Sequence, residues 1–282
     1  MIMNINKLPS ISDLVYKYNL QPKKSLGQNF LYDLNLTQKI ANINGSLEGS
    51  VVLEVGAGPG ALTRSILASG AKKVIAIEKD RECIPILQEL AKLANGRLEI
   101  IQQDALNFDI NCLKDRQKIR IVSNLPYNIG TELLVKWLRP EIWPPIWTDM
   151  TLMFQKEVAN RIVAKPGSKT YGRLSILSQW RSTVKIAMHL SPEAFRPIPK
   201  VHSSVVTITA NLAPKFHANP LILEQIVKQG FNQRRKMLRS SLRSLHPKVE
   251  QLLCKANINP KLRAENITIA KWCELANLIE EN

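Results

Sequence analysis

The sequence predicts an α/β fold built on a mostly parallel sheet, followed by a smaller all-helical domain. From residue 51 onward, short apolar runs typical of strands alternate with amphipathic runs typical of helices. The first strand pattern, Val51–Val55, ends in a glycine-rich turn, and a linker over residues 211–220 is followed only by helical patterns. We therefore predict an α/β domain with an N-terminal arm over residues 1–212 and a helical domain over residues 213–282.

Strand and helix patterns follow one another along the predicted α/β domain. The arm, residues 1–30, has helical spacing from Ile11 to Tyr18 and a loop after Pro22. The predicted strands are Val51–Val55, Val74–Ile77, Leu98–Gln102, Ile119–Ser123, Thr151–Phe154 and Val205–Ala210. The predicted helices are Leu34–Ile43, Leu62–Ser69, Ile84–Leu93 and Leu133–Leu138. This alternation is typical of a parallel sheet with helices on both faces.

Composition indicates a folded protein without a membrane span. Of the 282 residues, 45% are hydrophobic and 22% are charged, which permits a sizeable core. The sequence contains no uninterrupted apolar stretch of about 18 residues, and its N-terminus lacks the pattern of a signal peptide. The four cysteines are widely spaced, as is usual for reduced thiols. We expect a cytoplasmic monomer with no metal site.

The charge balance predicts a polyanionic partner. Lys and Arg number 39 against 23 Asp and Glu, which leaves a net charge of +16. Nucleic acid is the partner that this surplus favours, while an anionic membrane surface or a merely solvated basic surface are the alternatives.

The glycine-rich turn indicates a nucleotide or nucleoside ligand. Residues 53–60 read Leu-Glu-Val-Gly-Ala-Gly-Pro-Gly between a predicted strand and a predicted helix, and glycines let the backbone approach a ligand closely. Glu78 ends the next strand, where an acid binds ribose hydroxyls, and Asp104 follows the third strand. Gly56, Gly58 and Ala61 also satisfy the dinucleotide pattern. Gly60 and Asp104 favour a nucleoside-type methyl donor instead.

The turn Asn124-Leu125-Pro126-Tyr127 is the most specific chemical signal. The lone pair of an adenine exocyclic amine is delocalised into the ring, so the amine is a poor nucleophile. An amide oxygen at Asn124 and a backbone carbonyl in the turn could each accept an amine hydrogen, favouring the tetrahedral form that attacks a methyl group. Pro126 stiffens the turn, and Tyr127 offers a face for base stacking. Catalysis would then rest on orientation and electrostatics.

Several segments together resemble one enzyme family. Residues 124–129, Asn-Leu-Pro-Tyr-Asn-Ile, resemble motif IV of the rRNA adenine N6,N6-dimethyltransferases. Segments similar to the bacterial KsgA/RsmA branch, which acts on 16S rRNA of the small subunit, are residues 26–31, 155–158, 171–175, 195–206 and 231–236. Arg196 and Ile198 stand where the family often has proline or a small residue. The resemblance covers residues 20–245.

This resemblance implies a Rossmann-like methyltransferase domain that uses S-adenosylmethionine. It implies that the residues contacting this cofactor are Asn29, Leu31, Gly56, Glu78, Asp104 and Asn124, with Gly58 in the same turn. Asn124, Leu125, Pro126 and Tyr127 would form the catalytic turn, and Tyr127 and Phe195 would hold the flipped adenine. The implied targets are two adjacent adenosines in a hairpin loop near the 3′ end of 16S rRNA, within the small subunit or its precursor. A role in small-subunit biogenesis would follow.

A basic segment in the tail is the predicted RNA contact. Residues 231–248 combine leucines at helical spacing with basic residues on the other face, which predicts a basic amphipathic helix. Arg234, Arg235 and Arg239 are the predicted phosphate contacts, and Lys23 with Lys24 form a second candidate patch. The alternative is an ordinary solvated helix face.

Three other functions remain open on the sequence. An enzyme that dimethylates large-subunit rRNA would share the cofactor motifs, although residues 195–206 and the tail favour the small-subunit branch. A non-catalytic RNA-binding or assembly protein could use the same fold, but the intact Asn124 and glycine turn argue against it. An NAD-dependent oxidoreductase would have no use for the Asn-Leu-Pro-Tyr turn.

Overall fold

The computed structural model describes residues 8–114, 119–140 and 142–281. It divides into two compact units. The first unit comprises Met1–Ala159 and Lys185–Ala210, and the second comprises Asn160–Val184 and Asn211–Asn282. Among the described residues, no helix combines the length and apolar character needed to cross a membrane.

The helices and strands follow the predicted order closely. The helices are α1 Ile11–Lys17, α2 Leu34–Asn42, α3 Ala61–Ala68, α4 Ile84–Leu93, α5 Gly130–Trp137, α6 Lys156–Val163, α7 Arg173–Arg181, α8 Pro220–Asn232, α9 Leu238–Ser241, α10 Val249–Lys255 and α11 Ile269–Glu280. The strands are β1 Phe30–Leu31, β2 Val51–Val55, β3 Lys73–Glu78, β4 Leu98–Gln102, β5 Ile119–Ser123, β6 Trp147–Gln155, β7 Ser182–Leu190, β8 Phe195–Arg196 and β9 Ser203–Ala210. The sequence had not predicted β1, β7 or β8, and it had assigned no helix to α6 or α7.

The main sheet has the order β4-β3-β2-β5-β6-β9-β7. Neighbouring strands from β4 to β6 are parallel, and β9 is antiparallel to β6. This confirms the predicted mostly parallel sheet. The chain runs outward from β2 through β3 to β4 and then returns to β5 on the other side of β2. The crevice between β2 and β5 is therefore the switch point, where ligands bind in open α/β sheets.

The core of the first unit explains why its strands read as continuous apolar runs. Every residue of β2 and β5 is buried, because helices cover both faces of a parallel sheet. Residues from α2, α3 and α4 pack with β2 and β3 in one hydrophobic cluster. Leu31 and Phe195 belong to the same cluster and are directly paired between β1 and β8.

The second unit has its own hydrophobic core, and its extent differs from the predicted domain boundary. Tyr171, Ile176 and Trp180 are buried with residues of α8 and α11. The Tyr171 hydroxyl donates to the Ile267 carbonyl at 3.0 Å. Residues 160–184, which the sequence assigned to the first domain, belong to this unit because their apolar side chains complete its core.

The predicted basic helix over residues 231–248 is wrong as a continuous helix. Helix α8 ends at Asn232, and the four-residue α9 begins only at Leu238. The leucines nevertheless pack as predicted, because Leu238 and Leu242 are fully buried and Leu245 packs against the core. Helical spacing therefore identified the buried positions but not the break between them.

Candidate active site

A cavity of about 110 Å³ opens at the carboxyl ends of the parallel strands. It is lined by the glycine turn after β2, the acids after β3 and β4, the turn after β5 and the end of the N-terminal arm. Of the predicted site residues, those that line it are Asn29, Gly56, Gly58, Glu78, Asp104, Asn124, Leu125, Pro126 and Tyr127. Sequence positions spread over about a hundred residues therefore meet at one edge of the sheet.

Glu78 lies at the end of β3 and is 5% exposed. Its Oε2 accepts from the Gly58 backbone N–H at 2.8 Å, and its Oε1 accepts from the Asp80 N–H at 2.8 Å. Burial raises the pKa of Glu78, although these backbone hydrogen bonds oppose the shift. The carboxyl group is therefore held rigidly against the glycine turn, in the position expected of a group that binds ribose hydroxyls.

Asp104 lies after β4 on the rim of the cavity. Its Oδ1 accepts from the Leu106 N–H at 3.0 Å, and its Oδ2 accepts from Lys79 Nζ at 2.7 Å. The Lys79 hydrogen bond lowers the pKa of Asp104, so the group is an anion that can accept from an adenine amine.

Asn124 follows β5 with a fixed amide orientation. Its Nδ2 donates to the Asn29 backbone carbonyl at 2.8 Å, so Oδ1 is the end of the amide that remains to accept a hydrogen. In the same turn the Pro126 carbonyl accepts from the N–H groups of Ile129 and Gly130. The predicted catalytic turn is therefore anchored by hydrogen bonds at both ends, and Asn124 presents an acceptor.

Tyr127 is half-buried beside the cavity. Its hydroxyl lies 2.5 Å from Ser203 Oγ at the start of β9. Burial raises the pKa of Tyr127, although the Ser203 hydrogen bond opposes the shift, so the ring is a neutral phenol. A phenol ring fixed by its hydroxyl can act as a stacking face for a base.

The glycine turn needs glycines both for its backbone conformation and for close packing with its neighbours. Gly56 and Gly58 have φ of 72° and 55°, a conformation that side chains disfavour. A Cβ on Gly58 would lie 2.9 Å from the Phe30 ring, and one on Gly56 would lie 3.2 Å from Pro126. The absence of side chains at both positions thus lets Phe30 and Pro126 pack directly against the turn, and the acids and amide around it match the polar groups of a nucleoside cofactor.

Of the predicted contacts to the cofactor and the target base, two lie apart from this cavity. Leu31 is 3% exposed and contributes to a smaller neighbouring pocket together with Glu54 and Asn124. Phe195 is fully buried in the hydrophobic core, where β8 pairs with β1. The structure therefore does not bring Phe195 to a position where its ring could stack on a base.

The three predicted phosphate contacts are not equivalent. Arg234 Nε donates to Glu265 at 2.8 Å, and its Nη2 donates to the carbonyls of Lys169 and Tyr171. Arg239 lies 3.7 Å from Glu250, whereas Arg235 is exposed. The Arg234 side chain thus makes its contacts within the second unit, and these contacts do not support an RNA-binding role for it.

Some residues around the cavity were not among the predicted site residues. Gln28 lines the cavity, and its side chain donates to Asp80, two positions after Glu78. Ser203 fixes the Tyr127 hydroxyl. Glu54 is buried between the glycine turn and Asn124. Each carried a sequence signal, since Gln28 and Ser203 belong to the 26–31 and 195–206 segments that resemble the family and Glu54 belongs to the 53–60 segment that contains the glycine turn, but none of the three had been assigned a role.

A parallel sheet with a glycine turn, a buried acid at the end of β3 and an Asn-Leu-Pro-Tyr turn at one edge is typical of a Rossmann-like methyltransferase that uses S-adenosylmethionine. The family model described as "Ribosomal RNA adenine dimethylase" matches residues 19–281. The chain belongs to the ribosomal RNA adenine dimethylase family. It is thus an S-adenosylmethionine-dependent enzyme that dimethylates adenine in rRNA, as predicted.

Relatives agree with this membership, and solved structures agree with the fold. "Ribosomal RNA small subunit methyltransferase A" of Paracoccus denitrificans (strain Pd 1222) is 56% identical over 272 residues, covering 96% of both chains. The protein of the same name from Dinoroseobacter shibae is 54% identical over 275 residues, covering 98% of both. In fold, the chain is similar to a Plasmodium falciparum dimethyladenosine transferase (TM-score 0.73, 23% identity, 89% of this chain and 98% of that one). It is also similar to the 23S rRNA methyltransferase ErmE (TM-score 0.67, 23% identity, 89% and 100%).

Proposed function

We propose that this enzyme dimethylates N6 of two adjacent adenosines in a hairpin loop near the 3′ end of 16S rRNA. The observation that carries the chemistry is the catalytic turn, in which the Asn124 amide is held by the Asn29 carbonyl. The two relatives carrying a small-subunit name cover nearly the whole chain, which supports the choice of rRNA. The substrate would be the small subunit or its precursor, and the enzyme would act in its biogenesis as a cytoplasmic monomer.

The turn supplies two acceptors for the target amine. Asn124 Oδ1 is the first, because its Nδ2 is already engaged. The Pro126 carbonyl is used by Ile129 and Gly130, so we assign the second acceptor to the Leu125 carbonyl. In the first transfer two accepted N–H bonds direct the nitrogen lone pair toward the methyl donor, which is catalysis by orientation and preorganised electrostatics. The N–C bond would form as the S–C bond of the donor breaks, and one amine proton would then be lost to solvent. The singly methylated amine keeps one N–H, so the second transfer would use one acceptor. Tyr127 would stack on the flipped base.

The remaining residues of the cavity suit S-adenosylmethionine. When bound, this cofactor supplies an electrophilic methyl group carried on a sulfonium. Glu78 would accept the ribose hydroxyls, Asp104 would accept from the adenine amine of the cofactor, and Gly56 and Gly58 would let the backbone approach it. Asn29 and Leu31 would close the arm side of the site.

The test is methylation mapping with two substrates. Purified enzyme is incubated with labelled S-adenosylmethionine and either small or large ribosomal subunits that lack the modification, and modified nucleotides are mapped. We expect two dimethylated adenosines near the 3′ end of 16S rRNA. Label found only in 23S rRNA would contradict the proposed target while preserving the chemistry, and no label in either RNA would contradict both.

A further inference from the structure

A buried carboxylate fastens the N-terminal arm beside the cavity. Asp80 is 3% exposed and follows the cavity residue Glu78 by two positions. Its Oδ1 accepts from Lys23 Nζ at 2.7 Å, and its Oδ2 accepts from Gln28 Nε2 at 2.8 Å. The Gln28 Oε1 in turn accepts from the Lys23 backbone N–H at 2.8 Å. These three residues therefore form a closed ring of hydrogen bonds, which we call the arm latch.

The arm segment that the latch holds also contacts the catalytic turn. Residues 25–30 of the arm line the cavity, and the Asn29 carbonyl is the acceptor that fixes the Asn124 amide. Gly27 packs so closely on the end of the catalytic turn that a Cβ there would lie 3.3 Å from the Tyr127 backbone N and 2.8 Å from Oδ1 of the following Asn128. The arm thus contacts Asp80 in the loop after β3 through Lys23 and Gln28, and it contacts the turn bearing Asn124 through the Asn29 carbonyl.

The negative charge of Asp80 strengthens the hydrogen bonds of the latch. Burial alone would raise the pKa of Asp80, but the hydrogen bonds from Lys23 and Gln28 outweigh it and lower the pKa. Asp80 is therefore an anion that accepts from both, and hydrogen bonds to a charged group are stronger than neutral ones. A second arm anchor lies elsewhere, where Glu89 accepts from Lys17 and from the Tyr18 hydroxyl.

We propose that Asp80 and Gln28 are positioning residues that hold the arm over the cofactor and, through the Asn29 carbonyl, set the orientation of Asn124. This inference rests on the proposed roles of Glu78 and Asn124. The latch joins the cofactor side of the cavity to the target-amine side, so its loss weakens cofactor binding and turnover together. The Glu89 anchor holds the arm to α4 without contacting the segment that lines the cavity.

The test uses a breaking variant and a rescuing one. Asp80→Asn breaks the ring, because the new side-chain NH2 group is a donor and faces a donor of either Gln28 or Lys23. The double variant Gln28→Glu with Asp80→Asn restores a complete ring, because the new amide at position 80 can donate to the new carboxylate at position 28 and accept from Lys23. Glu89→Met removes the other anchor and is the matched control. Each protein is checked for its melting temperature and its affinity for S-adenosylhomocysteine by calorimetry, for trypsin cleavage after Lys23 and Lys24, and for methyl transfer.

We expect Asp80→Asn to weaken S-adenosylhomocysteine binding about tenfold, the scale of a lost charged hydrogen bond, and to lower kcat. In the wild type the ligand should protect Lys23 and Lys24 from trypsin, whereas in Asp80→Asn the ligand should not change the rate of cleavage there. The double variant returns the affinity to within about threefold of wild type, and Glu89→Met stays within about twofold. Wild-type affinity in Asp80→Asn, no rescue in a folded double variant, or an equal loss in Glu89→Met would overturn the latch. Failure of the wild type to bind would instead overturn the proposed function.

Discussion

The cavity of the first unit contains the residues that the sequence predicted for it, whereas the basic segment of the second unit is only partly as predicted. Glu78, Asp104 and Asn124 were each predicted from a strand end, and all three line one cavity. Arg234, Arg235 and Arg239 were predicted from charge and spacing, and two of them face carboxylates of their own unit.

The difference is physical. The backbone of a parallel sheet brings strand ends to one edge, whatever the intervening sequence. A long arginine side chain can reach a carboxylate, a carbonyl or a phosphate, and its choice depends on neighbours distant in the chain.

The substitution with the largest expected effect tests the predicted role of a cavity residue. Asn124→Ala removes an acceptor for the target amine, so we expect methyl transfer to fall by about 100-fold to 1,000-fold, the scale of losing one preorganised transition-state group. Transfer of labelled methyl to small subunits is the measurement, with the melting temperature as the check on folding. Tyr127→Ala should mainly weaken base placement. Near-normal turnover in a folded Asn124→Ala protein would remove the proposed role.

A second prediction concerns the glycine turn. Gly58→Ala places a Cβ 2.9 Å from the Phe30 ring at a positive φ, so we expect S-adenosylhomocysteine affinity to fall about tenfold or more. In the wild-type protein this ligand should raise the melting temperature, whereas NAD should not.

Gly96→Ala is the matched control for the glycine turn. Gly96 also has a positive φ, but a Cβ there would meet no atom within 4 Å. It should lose about 1 kcal/mol of stability from backbone strain and keep its cofactor affinity. Equal loss of affinity in both variants would show that strain alone, not crowding beside the ligand, explains the effect.

A third prediction concerns the pH dependence of stability. Glu54 is fully buried, its Oε2 has no hydrogen-bond partner within the described ranges, and burial raises its pKa from 4.5 to about 8. Between these pH values the folded state keeps a proton that the unfolded state releases, so stability falls as pH rises through this window. Glu54→Gln keeps the neutral form and should stabilise the protein at pH 8 by roughly 4 kcal/mol, with little change at pH 4.5. Denaturant unfolding across this range is the measurement, and parallel curves would contradict a raised pKa.

The smallest effect tests the basic segment. Arg235, Lys236 and Arg243 are exposed, so neutralising them together to Met should weaken small-subunit binding and lower its salt dependence by about one unit per lost phosphate contact. Stability and cofactor affinity should stay unchanged.

Arg234→Met provides the contrast within the same segment. It should cost about 1 kcal/mol of stability, because a side chain that is 40% exposed still makes an ion pair and two carbonyl contacts. Its salt dependence of binding should match wild type. The opposite assignment, with Arg234 setting the salt slope, would mean that its ion pair opens on the RNA.

The sequence predicted the sheet and its connecting helices because their patterns are local. Helix α4 matches its predicted range, with Pro85 in its first turn. The two-residue strands β1 and β8 could not be predicted from local patterns. They form by pairing with each other, as between Leu31 and Phe195, which are distant in sequence. The same pairing buries Phe195, and no local pattern distinguishes a core phenylalanine from a stacking one.

The sequence by itself determined the fold class and the residues at the strand ends, and it predicted the chemistry of the turn at residues 124–127. These follow from the periodicity of apolar residues and from a motif whose residues are contiguous. Only the tertiary structure decided which way the Asn124 amide points, what Asp80 holds and which arginines are already paired. Each depends on groups brought together from separate parts of the chain, and hydrogen-bond geometry within a few tenths of an ångström cannot be read from spacing along it.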